Sequence, residues 1–191
     1  MEPSEYASMY AVEDEHWWYV GMRRITQAML DAQLPPGLHD ILDAGCGTGA
    51  NLKALERYGV ATGLDVEPMA LELCRRRGVT RLVRGSVCEL PFAAQSFDLV
   101  TSFDVLYHLA VASDDVALRE FWRVLRPGGW LFLRLPAHDW LRGRHDIAVH
   151  TRVRYSRALV EAKVAAAGFT VVCISYANCL LFPVALAKRL L

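Results

Sequence analysis

The chain has no surplus of charge: among its 191 residues, 21 Lys and Arg are matched by 21 Asp and Glu. No basic run is longer than Arg75-Arg76-Arg77, so the sequence carries no electrostatic footprint for nucleic acid, and no such partner is expected. The triplet precedes Gly78 and reads as a solvated helix end that favours the dipole. Five cysteines form no CxxC and cannot all pair, which speaks against a disulfide framework or a zinc ribbon and fits reduced thiols in a cytoplasmic protein. No apolar run approaches the roughly 20 residues that span a bilayer. Met1 to Arg24 is acidic and aromatic, unlike a signal peptide. With 53% hydrophobic residues, the expectation is one globular domain over 1–191.

What is present is concentrated in Ile41-Leu-Asp-Ala-Gly-Cys-Gly-Thr-Gly-Ala-Asn51: an apolar strand, three alternate glycines, then a helix. Residues without Cβ let backbone lie directly against a nucleoside. Gly45, Gly47 and Ala50 fit the dinucleotide spacing, with Asp65 where a ribose-binding acid is expected. Asp43 argues the other way, because a carboxylate two residues before the first glycine would repel a pyrophosphate. S-adenosylmethionine (SAM) has no phosphate and carries an ammonium and a sulfonium, which an acid attracts. A nicotinamide cofactor is the lesser reading.

Short apolar runs near Asp40–Asp43, Val60–Asp65, Arg81–Arg84, Phe97–Ser102 and Trp130–Leu135 predict parallel strands covered on both faces. Helical patterns near Tyr19–Ala32, Ala50–Tyr58, Pro68–Arg77, Asp114–Leu125 and Ser156–Ala167 surround them, with Pro68 at a first turn and Gly78 as a C-terminal cap. Phe169–Tyr176 reads as a sixth strand. The sum is a doubly wound, Rossmann-like α/β fold with a mainly parallel sheet.

Asp43-x-Gly45-x-Gly47-x-Gly49 resembles motif I of the class I SAM-dependent methyltransferases. Leu90-Pro91-Phe92, Ser96-Phe97-Asp98 and Arg123-Val124-Leu125-Arg126-Pro127-Gly128-Gly129 extend the resemblance to the type 11 group. Glu13-Asp14-Glu15-His16-Trp17-Trp18-Tyr19, His145 to Tyr155, and Tyr176 to Pro183 are similar to a bacterial subgroup without an assigned acceptor. The resemblance implies SAM as cofactor and S-adenosylhomocysteine as product. It places the cofactor on Asp43, Gly45, Cys46, Gly47 and Gly49, on Asp65 and Val66, on Ser86 and Val87, and on Phe103. Asp65 would hold the ribose hydroxyls, while the side chain of Cys46 turns away from the ligand.

No Asn/Asp-Pro-Pro-Tyr follows the fourth strand, which sets the chain apart from amino-group methyltransferases of nucleic acids. His108 matches a family His at the active-site rim. His145, Asp146 and His150 could orient or deprotonate an acceptor, with Arg152 or Arg154 holding an acidic group. His145, Asp146 and His150 equally suit a structural network. Their spacing finds no third ligand elsewhere, so no metal is expected. Residues 1–35 would form a lid segment and 137–155 an acceptor-side loop.

The resulting expectation is a methyltransferase acting on oxygen or nitrogen of a small or lipid-linked acceptor. A SAM-binding protein without transferase activity is the alternative. Class I domains close with an antiparallel seventh strand, and only Ala177–Leu191 remains for it, so six strands are expected. The tail Leu180–Leu191 would then pack on the domain or against a second copy. In a longer chain it would suit a membrane surface.

Overall fold

The structure, a computed structural model, describes residues 3–37 and 39–177, and for Pro3, Ser4, Arg144 and His145 the backbone alone. Helices α1 (Pro3–Val12) and α2 (Trp17–Gln33) precede an alternation of strand and helix. It runs β1 (His39–Ala44), α3 (Ala50–Leu55), β2 (Gly59–Asp65), α4 (Pro68–Arg76), β3 (Leu82–Arg84), β4 (Phe97–Phe103), α5 (Asp114–Val124) and β5 (Leu125–Arg134). Helices α6 (Arg144–Ala148) and α7 (Arg157–Ala166) follow.

The sheet order is β3-β2-β1-β4-β5, and every pairing is parallel. Alternation along a strand sends successive side chains to opposite faces, and here both faces are apolar. Leu42 and Val100 pack against α5 through Leu118 and Phe121. Their neighbours Ile41 and Leu99 pack with Leu30, Leu52 and Leu71 of α2, α3 and α4. Ser113 caps α5 by accepting from the Val116 amide, and Glu67 caps α4 with Pro68 in its first turn. The strand order reverses between β1 and β4, which opens a crevice at the carboxyl ends of those two strands.

One expectation needs correction. Phe169–Tyr176 is not a strand, and the described residues contain five strands. Phe169 joins the core, but Val172 and Tyr176 lie exposed and the segment pairs with no described strand. Apolar sequence supplies the propensity, whereas a strand exists only with a partner. The seventh-strand and tail arguments concern Ala177–Leu191, of which all but Ala177 lie outside the described residues, as does Cys179.

Candidate active site

Strand β1 delivers its chain into the crevice through Gly45, Gly47 and Gly49, all in left-handed backbone. A Cβ on Gly45 would lie 2.3 Å from Cγ2 of Val105, so the loop after β4 presses directly on the glycine loop. At Gly47 the only neighbour among the described residues within 4 Å of an added Cβ would be the methyl of Met9 on α1, at 3.7 Å. That turn is open toward the crevice, and α1 lies across it.

Asp65, at the end of β2, fixes the loop from the other side. Its Oδ2 accepts from the Gly47 amide at 2.9 Å and its Oδ1 from the Glu67 amide at 2.9 Å. Burial raises its pKa above the ordinary carboxylate value, against the lowering effect of these amides. Asp43 lies deeper, 1% exposed. Oδ1 accepts the Thr101 hydroxyl at 2.8 Å, while Oδ2 has no hydrogen-bond partner among the described residues. Burial pushes this carboxyl up to about 7. A buried carboxyl oxygen without a partner is costly alone and favourable beside a cation. The residues present therefore fit SAM, whose ammonium such a carboxylate would hold directly or through water.

The other cofactor candidates divide. Cys46 turns its side chain into the core, its sulfur 3.9 Å from that of Cys74. Val87 and Phe103 are buried, Val87 in the α5-side core and Phe103 edge-on to Phe132 beneath the Arg134 guanidinium. Val66 is exposed, and its carbonyl accepts from Arg84. Ser86 uses its hydroxyl locally, accepting from the Cys88 amide at 3.1 Å.

Residues 137–155 dock on the loop after β4. Arg152 donates its amide to the Tyr107 carbonyl at 2.7 Å, and Leu109 donates to the His150 carbonyl at 2.9 Å. This brings the rings of His108 and His150 to 5.5 Å between centroids. Nδ1 of His108 accepts from the Ala110 amide at 3.0 Å, and burial lowers its pKa to about 4. The ring is neutral at pH 7 with its proton on Nε2, and the bond accepted by Nδ1 orders the loop.

Asp146 is 3% exposed. It accepts from Arg154 at 2.6 Å and from the Gly143 amide at 2.7 Å. Although burial alone would raise its pKa, the hydrogen bonds from Arg154 and Gly143 hold it below the ordinary value. Arg154 also donates to the Ala137 carbonyl, so this pair staples the segment together. The side chain of His145 lies outside the described residues. Non-glycine residues in left-handed backbone gather here: Asp104, His138 and His150 are three of the four described. Such conformations cost about 1–3 kcal/mol each and concentrate at functional sites.

A cavity of about 1660 Å³ runs along the outer edge of β5 and reaches the crevice at Met9, Asp104, Tyr107 and Arg134. Its bulk is the space beside a strand edge that pairs with no other described strand, bounded by Met22 and Ile25 of α2 and by Leu131 and Leu133.

Residues 42–133 match the family model described as a methyltransferase domain. This chain carries a type 11 methyltransferase domain. It is of the class I kind, which uses SAM as methyl donor. The fatty-acid O-methyltransferase of Mycolicibacterium smegmatis is 37% identical over 128 residues, covering 64% of this chain and 42% of that one. The "Probable tRNA methyltransferase 9B" of Bos taurus is 32% identical over 140 residues, covering 73% of this chain and 30% of that one. In structure, phosphoethanolamine N-methyltransferase 2 of Haemonchus contortus superimposes with a TM-score of 0.70 at 19% identity, covering 88% of this chain and 42% of that one. The chain thus spans less than half the length of these proteins.

Among the described residues no helix is long and apolar enough to cross a membrane, and no group of His, Cys, Asp and Glu is placed to hold a metal ion. Sequence reasoning missed three residues that bear on the donor site, Glu13, Thr48 and Arg77. The basic triplet gave no sign that Arg77 differs from Arg75 and Arg76. Those two remain exposed beside Glu72, whereas the Arg77 side chain is 10% exposed.

Proposed function

We propose that this domain transfers a methyl group from SAM to oxygen or nitrogen of a small or lipid-linked acceptor. The observation that carries the donor half is Asp43, whose buried Oδ2 has no hydrogen-bond partner among the described residues and would accept from a cation beside the glycine loop. Asp65 would accept from the ribose hydroxyls, with the glycine-loop backbone against the nucleoside. The sulfonium supplies the activated methyl when SAM is bound. The residues of the chain align the acceptor with it and keep water out.

The acceptor would enter between the loop after β4 and residues 137–155. His108 would donate from Nε2, and Asp146 would hold Arg154 and the loop in place without removing a proton. An apolar acceptor is supported by Tyr19, Met22 and Leu133 where the cavity meets Asp104 and Arg134, and by a relative named for fatty acids. The relative named for tRNA supports a nucleic-acid acceptor instead, but the even charge balance offers no basic surface for one. Incubation with methyl-labelled SAM against lipid extract, small-metabolite extract and bulk tRNA tests the choice. Label in the lipid or metabolite fraction is expected, and label in tRNA alone would overturn the proposal. SAM binding without any labelled product would favour the non-transferase alternative.

A further inference from the structure

Arg77 follows the last turn of α4 and reaches back across the glycine loop. Its Nε donates to the Thr48 carbonyl at 2.9 Å. One terminal nitrogen donates to Glu13 at 2.7 Å and the other to Asp14 at 2.5 Å, both in the link between α1 and α2. The guanidinium also lies over the Tyr10 ring, 4.5 Å from its centroid. Glu13, 5% exposed, closes the circuit by accepting the Thr48 hydroxyl.

A guanidinium offers a rigid fork of donors, so it can hold several acceptors in fixed relative positions where an ammonium cannot. Here the acceptors belong to two bodies, the glycine loop and the N-terminal helices. The consequence falls on the crevice. Met9 on α1 lies against the Gly47 turn. Tyr6, one turn earlier, is held above its ordinary phenol pKa first by burial and then by the charges of Asp65 and Glu67, which places it on the same crevice.

We propose that Arg77, Glu13 and Thr48 form a latch that locks α1 over the donor site and makes closure of α1 and retention of the donor one event. Arg77 is then a positioning residue that need not touch the donor. The aromatic pair Trp17-Trp18, though in the same segment, contributes little to the lock, since Trp17 is 62% exposed. The inference rests on the glycine crevice being the donor site. It goes further by assigning the lid's lock to an ion-paired joint.

The test uses the full chain with S-adenosylhomocysteine as probe. In Arg77→Met and Glu13→Gln, release measured by stopped-flow tryptophan fluorescence should quicken about tenfold or more, within the usual range of coupling between sites. Arg77→Lys, which keeps the charge and loses the fork, should fall between. Limited proteolysis supplies the second readout. The link at residues 13–16 should be cut slowly in the native chain, more slowly still with the probe, and rapidly with or without it in Arg77→Met.

Native release rates with native cleavage in Arg77→Met and Glu13→Gln would overturn the latch. If calorimetry shows no binding of the probe to the native chain, the donor-site reading fails. The ligand-free cleavage comparison would still decide whether Arg77 fastens α1. Should Arg77→Met not fold by circular dichroism, Glu13→Gln and Asp14→Asn carry the same comparison.

Discussion

Thr101 donates its hydroxyl to one oxygen of Asp43 across adjacent strands, at 2.8 Å, and leaves the other oxygen without a partner among the described residues. The pair sets how the ligand-free protein responds to pH. Burial raises the Asp43 carboxyl from 3.8 to about 7. The native state therefore keeps a proton that the unfolded chain releases above pH 3.8, and stability falls as pH rises through the window from about 4 to about 7. The shift of roughly 3 units corresponds to at most about 4 kcal/mol. Asp43→Asn keeps the Thr101 contact and removes the titration. It should be more stable than the native chain at pH 8, by up to a few kcal/mol, with the gap narrowing toward pH 5, while losing affinity for SAM. Urea melts at the two pH values check this, and a gap that does not depend on pH would contradict it.

Asp65 has two tasks in this geometry, holding the Gly47 and Glu67 amides and meeting the ribose. Asp65→Ala should weaken S-adenosylhomocysteine by roughly 1–3 kcal/mol, the cost of losing charge-assisted hydrogen bonds. Asp65→Asn, which keeps an acceptor, should lose less. Titration calorimetry reads both, and native affinity in Asp65→Ala would remove Asp65 from the donor site.

The parallel sheet was legible because each of its first five strands is a short apolar run ended by a turn signal. The glycine turn was legible because three alternate glycines after a strand demand left-handed backbone. The acceptor side was legible only as a set of polar residues. Nothing in His145-Asp146 through Arg154 says that Asp146 faces Arg154, because that pairing depends on how the loop folds back on Tyr107 and Leu109. Arg77 was read with its neighbours as solvated, since burial of one member of a basic triplet depends on Glu13, 64 residues earlier in the chain. Phe169–Tyr176 shows the reverse failure: a clear strand pattern that pairs with no described strand.

Contact between the glycine loop and the loop after β4 gives a steric prediction. Gly45→Ala puts a Cβ at φ +86 and 2.3 Å from Val105, so it suffers both left-handed strain and overpacking. A loss of about 2 kcal/mol or more is expected from the two together. Val105→Ala in the same chain relieves the clash but not the strain, so the double variant should recover only part. Thermal melts of the two single variants and the double variant separate these contributions. Full recovery would mean that the backbone conformation costs nothing.

The acceptor-side segment offers the sharpest separation of structure from chemistry. Asp146 is buried and the Arg154 side chain is only 10% exposed, and removing one partner of such a pair strands the other, at up to about 3–5 kcal/mol. Asp146→Ala should therefore lower the melting temperature and turnover together. His150 and His108 lie nearer the β4 loop, with His108 neutral at pH 7. Because burial depresses the His108 pKa from 6.5 to about 4, its contribution to stability is complete above 6.5 and is lost as pH falls toward 4. His108→Gln should then flatten the acid side of the stability profile. It should leave the turnover profile of the domain without any change in a limb near 6.5, because a ring already neutral there has no proton to give up. Once an acceptor is identified, kcat at saturating SAM is measured from pH 5 to 9 for the native chain and His108→Gln. A limb near 6.5 that disappears in the variant would show that His108 titrates as a base, against its observed hydrogen bond from Ala110.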